Sequence, residues 1–179
     1  MSLRFFQEAV ILMLPLIVGG VLHMIVVKLD ALSYLKRPLH PSWFGVNKTW
    51  RGMILMPLLT VLGVYVARLV EDAWGVRLLA EHSPLALGLT LGLGYALAEL
   101  PNSLMKRRLG IRPGEMSDHH PWLFSIIDQA DSVIGCALVY ALWGVGEWSM
   151  QAGLILLGTL VHLMLNYLLW LCGVRRHPL

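Results

Sequence analysis

Charge is scarce in this chain, and cysteine is scarcer. Only 14% of its 179 residues are charged, 57% are hydrophobic, and the mean hydropathy is +0.67. That is too apolar for a soluble domain of this size. The two cysteines, Cys136 and Cys172, belong to no CxxC and no Cys/His cluster, so both read as packing residues rather than as a disulfide or a metal site. The Walker pattern GxxxxGK[ST] and a Rossmann GxGxxG are missing too. The glycine-rich LGLTLGLG lies inside an apolar run and suits close helix packing instead. There is no internal repeat, no low-complexity tract and no soluble domain. The first apolar run lacks a small-residue cleavage pattern, carries Glu8 at its start and is long enough to span a membrane, so it reads as an uncleaved helix.

What is present is a set of five long apolar runs separated by short charged blocks. They are placed at Ala9–Val27, Met53–Val70, Leu85–Leu104, Trp122–Val145 and Gly153–Leu171, each long enough to cross about 30 Å of hydrocarbon. The expected fold is therefore all-α, a polytopic membrane protein forming a single integral-membrane domain over residues 1–179. Lys28, Lys36, Arg37, Lys48, Arg51, Lys106, Arg107, Arg108, Arg112, Arg175 and Arg176 fall on one side, and only Arg4, Arg68 and Arg77 on the other. Basic loops stay in the cytoplasm, so the N-terminus is expected outside and the C-terminus inside, in the cell's inner membrane. The cytoplasmic segments Lys28–Gly52 and Met105–Pro121 are the longer ones, rich in Gly, Pro, Lys and Arg, and any chemistry is expected there.

Three polar clusters would meet at that depth. Asp128 and Asp131 stand in an otherwise apolar span, where a carboxylate at the bilayer centre costs roughly 2.5–3.5 kcal/mol. Three apart on a helix, they share a face and suit one hard cation or one basic cluster. The plainer reading is a helix cap, but Asp131 lies more than two turns past Trp122. In AELPNSLMKRR, the residues Glu99, Asn102, Ser103 and Lys106 recur at i, i+3, i+4 and i+7 and form one polar face. It is either a solvated helix end or the wall of a polar cavity, with Pro101 weakening the backbone ladder beside it. FGVNKTWRGM supplies Asn47, Lys48, Thr49 and Arg51, with Gly45 and Gly52 permitting close backbone approach. Such basic residues commonly set topology or bind anionic head groups. Together, carboxylates and bases suggest a polyphosphate site in which acids hold Mg²⁺ and bases neutralise phosphate oxygens. His119 and His120 read as solvent-exposed loop residues. His162 and Asn166, i and i+4 on the last span, either hydrogen-bond within the bundle or touch a ligand.

FGVNKTWRG, SLMKRRLGIRPGE and DQADSVIG, in this order and on these helices, resemble CDP-archaeol synthase and its bacterial relatives, a branch of the integral-membrane CTP-dependent cytidylyltransferases. The resemblance runs from the end of the first span through the fourth and implies five transmembrane helices with a cytoplasmic-side site. It implies transfer of a cytidylyl group from CTP to a lipid phosphate, giving a CDP-activated lipid and pyrophosphate with Mg²⁺. It assigns Lys48, Thr49 and Arg51, then Ser103, Lys106 and Arg107, then Asp128 and Asp131. Two places depart from the family pattern. Ala98-Glu99 stands where Gly-Asp is frequent, and LHPSW stands where a DGR-like element precedes the first motif.

The expected enzyme is thus a CTP:lipid-phosphate cytidylyltransferase acting in phospholipid biosynthesis. Lys106, Asp128 and Asp131 are catalytic. Asn47, Lys48, Thr49, Arg51, Ser103 and Arg107 bind substrate, and Asp128, Asp131 and Glu99 bind Mg²⁺. Its partners are CTP and a lipid phosphate in the bilayer, with no nucleic acid. Archaeal ether lipids, phosphatidic acid and polyprenyl-type phosphates all fit an apolar groove. The rival reading is a non-catalytic lipid-binding or transport protein that retains the fold, and a purely structural subunit would leave the three polar clusters without a role.

Overall fold

The computed structural model describes residues 3–115 and 121–174; His119, His120, Arg175 and Arg176 lie outside the described residues. All the regular elements among the described residues are helical: α1 (Leu3–Lys28), α2 (Pro41–Phe44), α3 (Trp50–Trp74), α4 (Pro84–Arg108), α5 (Pro121–Leu142) and α6 (Trp148–Leu171), with a single turn of 3₁₀ helix at Ser33–Leu35. All but α2 are long and apolar enough to span a membrane. At 22 to 26 residues they measure about 33–39 Å; four contain the run expected from hydropathy whole, and α5 covers all of its run but the last three residues.

Helix ends follow local chemistry. Ser83 accepts from Ala86 N at 3.4 Å and precedes Pro84, so α4 starts with a side-chain cap and a proline at its first position. Thr49 caps α3 in the same way through Gly52 N. α5 stops three residues before the expected Val145, because Gly144 takes a left-handed φ of 69° and Val145 N turns back to Tyr140 O at 2.9 Å. α1 starts earlier than the expected Ala9 because Arg4 and Glu8, four apart at 3.0 Å, carry the helix through its polar first turns.

Close contacts fix the arrangement. A Cβ on Gly63 would sit 2.6 Å from Pro15 Cα, one on Gly92 2.3 Å from Pro57 Cα, one on Gly135 2.3 Å from Gly94 O, and one on Gly158 2.7 Å from a methyl of Val133. A second contact between each pair of helices, Gly19 with Thr60, Gly88 with Val61, Asn102 with Asp128 and Asn166 with Gln129, runs in the opposite sense, so α1, α3, α4, α5 and α6 are antiparallel sequential neighbours. α6 and α4 also touch α1. The glycines of LGLTLGLG serve as helix-packing positions, as expected. Ile11, Leu12, Leu87, Leu91, Tyr140 and Leu154 are fully buried in one apolar cluster. Within it, Tyr140 Oη donates to Leu12 O at 3.0 Å, in the turn before Pro15, which has no N–H of its own to give the helix. Cys136 is buried and Cys172 exposed, and both are free thiols.

Outward faces are apolar as well. Leu58, Leu62, Tyr65 and Leu69 form an exposed stripe on α3, and Leu156, Leu160 and Met164 form another on α6. Such surface suits lipid, not water. Alternation of direction brings the C-terminal ends of α1, α4 and α6 and the N-terminal ends of α3 and α5 to one end of the bundle.

Candidate active site

That end holds a cavity of about 590 Å³, within the range of small-molecule sites. All five spanning helices contribute to its wall. Asn47, Lys48, Thr49, Arg51, Glu99, Ser103, Lys106, Arg107, Asp128 and Asp131, the whole set expected from sequence, line it. Deeper along α1 the lining turns apolar at Met13, Leu16 and Ile17, and α6 adds Leu165 and Leu169.

The aspartates are no helix cap. Their partners come chiefly from α4: Asn102 Nδ2 donates to Asp128 Oδ1 at 2.7 Å and to Asp131 Oδ2 at 2.8 Å. Asp131 Oδ1 also accepts from Ser132 N at 2.6 Å. Lys106 donates to Asp128 Oδ2 and holds its ammonium 5.8 Å from the centroid of the Phe124 ring. The polar stripe of α4 therefore faces inward, with Asn102 and Ser103 buried, and it is not a solvated end. α4 is helical through Pro101. The Gly94–Gly135 crossing lets α4 and α5 approach closely enough for one amide to reach both acids.

The first loop folds over this arrangement. Residues 37–39 pair with 48–50, through Leu39 N to Lys48 O at 2.8 Å and Trp50 N to Arg37 O at 3.0 Å. Lys48 is thereby directed at Glu99, to which it donates. Burial pulls the Lys48 ammonium down, but the Glu99 carboxylate, followed by Asp131 and Asp128, carries it above its ordinary 10.5. Glu99 is thus engaged across the cavity rather than with the aspartates, and no group of three His, Cys, Asp or Glu side chains suited to a metal occurs among the described residues.

Arg51 is 4% exposed and lines the cavity, yet its Nη1 donates to Asp30 Oδ1 at 3.0 Å and to Ala31 O at 3.1 Å. It holds the loop in place. Asp30 also accepts from Lys36 at 3.1 Å, and these bonds, that of Lys36 first and that of Arg51 next, hold its carboxyl below its ordinary 3.8. Arg51 Nε is left without a partner among the described residues, and Arg107 has two such nitrogens, its buried Nε and Nη1. Gly45, at φ 82°, leaves room beside it, for a Cβ there would meet Pro113 at 2.9 Å and Arg107 Nη1 at 3.4 Å. A half-buried cation with buried, unused donors is a ready anion site. Thr49 has its oxygen on Gly52 N, and Asn47 is exposed at the rim.

Some participants were not anticipated. Asp30 lies 21 residues from its partner Arg51, a spacing that no helical period encodes. Gln129, buried between the two aspartates in sequence, accepts from Asn166 Nδ2 through Oε1, and its backbone carbonyl is 3.1 Å from His162 Nδ1. His162 and Asn166 therefore bond within the bundle and line the cavity as well. Tyr95 Oη lies 3.4 Å from His162 Nε2. His23 of α1 reaches the same space, its Nε2 3.5 Å from where a Cβ on Gly52 would stand.

Comparison with known proteins shows the family. The profile of the CarS-like CDP-archaeol synthases matches residues 4–178. The chain belongs to the CDP-archaeol synthase family. Similar members include the CDP-archaeol synthase of Staphylothermus marinus, 28% identical over 139 residues, which are 74% of this chain and 69% of that one. That of Methanosphaerula palustris is 28% identical over 140 residues, 75% of this chain and 80% of its own. That of Thermofilum pendens is 28% identical over 155 residues, 78% and 66% respectively. No solved structure matches the chain. As a member of this family the chain is a multi-pass membrane enzyme, and nucleotide transfer commonly needs a divalent metal. The donors present fit one. Two carboxylates whose oxygens gather on a single amide nitrogen suit a hard ion that completes its shell with substrate phosphate and water, and they do not make an all-protein cage.

Proposed function

We propose that this membrane enzyme transfers the cytidylyl group of CTP to a lipid phosphate in the cavity that the five spanning helices enclose. The observation that carries the assignment of the site is Arg107, a half-buried cation with two buried, unused donor nitrogens, in the cavity that Lys48, Lys106 and the aspartate pair also line. A triphosphate supplies the anionic oxygens that these groups lack. Lys48 and Lys106 are held by Glu99 and Asp128 when no nucleotide is bound, and phosphate oxygens compete with those carboxylates for them.

In the reaction a non-bridging oxygen of the lipid phosphate attacks the α-phosphorus of CTP. The new P–O bond forms as the bond from the α-phosphorus to the bridging oxygen breaks, and pyrophosphate leaves. The attacking oxygen is already ionised, so no side-chain nucleophile and no general base are required. Lys106 and Arg107 stabilise charge on the phosphates, Lys48 and Arg51 complete the basic wall, and Asn47, Thr49 and Ser103 supply hydrogen bonds at the rim and floor. Asp128 and Asp131 would hold Mg²⁺, which supplies positive charge at the phosphate oxygens when bound. The apolar lining at Met13, Leu16, Ile17, Leu165 and Leu169 suits the first part of the lipid chain. We place the enzyme as one domain in the inner membrane with the cavity facing the cytoplasm, in keeping with its basic loops. The names of the relatives put an archaeal ether-lipid phosphate first among substrates, with phosphatidic acid next.

The test is purified protein with radiolabelled CTP, Mg²⁺ and a panel of lipid phosphates. Labelled lipid and pyrophosphate should appear together in equal amounts. Binding of CTP or lipid without pyrophosphate from any member of the panel would leave the non-catalytic lipid-binding or transport reading in its place.

A further inference from the structure

The amide of Asn102 is half used. Its Nδ2 donates to both aspartates, whereas Oδ1 is buried with no partner among the described residues, on a side chain only 8% exposed. An unpaired buried carbonyl oxygen is costly. An asparagine amide is also two-sided, for turning it over about its last torsion exchanges nitrogen for oxygen. Turned over here, Oδ1 would take the place of Nδ2, against Asp128 Oδ1 and Asp131 Oδ2. Three oxygens with no proton among them repel one another, and only a cation makes that arrangement favourable. Glu99, the other candidate for a third oxygen, is engaged by Lys48 across the cavity.

We propose that Asn102 is the third protein ligand of the divalent cation, its carbonyl oxygen joining Asp128 and Asp131 when the ion binds and its nitrogen holding the two acids together when the ion is absent. This rests on the reading of those aspartates as cation ligands. Carboxylate and amide carbonyl oxygens are the donors that hard cations accept. The same side chain then serves two states of the site, which explains an asparagine at a position where a second donor or a third acid would serve only one.

The experiment uses Mn²⁺ as the probe, with purified protein in detergent micelles and free Mn²⁺ followed by its electron paramagnetic resonance signal, without substrate turnover. Asn102→Asp keeps an oxygen and loses the donor, while Asn102→Leu loses both. The expected result is that Asn102→Asp binds Mn²⁺ at least as tightly as the unaltered protein and that Asn102→Leu binds about tenfold more weakly or worse. An Asp variant as weak as the Leu variant would mean that only the donor matters, and a Leu variant as tight as the unaltered protein would mean that neither atom does. Either result overturns the proposal. Asp131→Asn is measured alongside: normal Mn²⁺ binding by that variant would sink the aspartate reading itself, a separate failure from that of Asn102. If either Asn102 variant fails to fold, the unaltered protein decides. The chain has three asparagines, Asn47, Asn102 and Asn166, and with ¹³C-labelled asparagine Mg²⁺ should move a side-chain carbonyl band in the infrared difference spectrum. No movement of any such band overturns the assignment.

Discussion

Lys106 and Lys28 carry the same charge and differ in their surroundings. Lys106 is held in the cavity between Asp128 and the Phe124 ring, whereas Lys28 ends α1 on the exposed surface. Lys106→Ala should therefore lower kcat/KM for CTP by on the order of 10²–10³-fold, the scale seen for loss of one charge-stabilising donor, and Lys28→Ala should leave it nearly unchanged. Equal effects in a steady-state assay would remove Lys106 from the phosphate cradle. Among the described residues Asp131 accepts from two neutral donors and forms no ion pair, so Asp131→Asn leaves no cation unanswered and should abolish pyrophosphate release across a Mg²⁺ titration while the protein still inserts and folds. Near-normal release at low Mg²⁺ would make this aspartate structural. That both residues face one cavity was legible because the spacings i, i+3 and i+7 put polar groups on one face of an apolar helix. The tether from Asp30 to Arg51 was not, because a loop has no period from which to read it, and Arg51 alone looks like any phosphate-binding arginine.

At the scale of the element, the crossing of α4 over α5 sets the distance between Asn102 and the aspartates. A Cβ on Gly135 would lie 2.3 Å from Gly94 O and 2.5 Å from Ala98 Cβ, so one helix must move away from the other. Gly135→Ala should cost about 1–3 kcal/mol, as overpacking does, and should lower turnover with it. Gly20→Ala, whose nearest neighbour would be Tyr95 Oη at 4.0 Å, should melt close to the unaltered protein. Thermal unfolding in detergent compares them, and equal melting of the two variants would show that the crossing is not tight. Hydropathy located all five spans, since apolar length is what it measures. It missed helix ends where the ion pair of Arg4 with Glu8 or the left-handed Gly144 decided them. The fold of residues 29–49 was beyond it, because that segment is shaped by partners elsewhere in the chain.

For the molecule as a whole, the eleven basic residues assigned to one side predict sidedness. A reporter fused after Arg176 should be cytoplasmic, and one in the Glu71–His82 segment external. The opposite labelling would put the cavity on the wrong side of the membrane for CTP. The alternation of helix direction was legible from the sidedness of the basic loops, while the depth of the cavity emerged only from the packing. The ion pairs across that cavity also bear on how the protein is made. Lys48 is answered by Glu99, 51 residues later, and Lys106 by Asp128, 22 residues later. A ribosome feeding this chain into the bilayer delivers each cation before its counter-ion, so a nascent chain halted before α4 carries Lys48 unanswered, and one halted before α5 leaves Lys106 in the same condition. Such unfinished chains present an unpaired charge to the bilayer, and that penalty disappears when the fourth span arrives and both ion pairs close, one span before α6 completes the cavity wall.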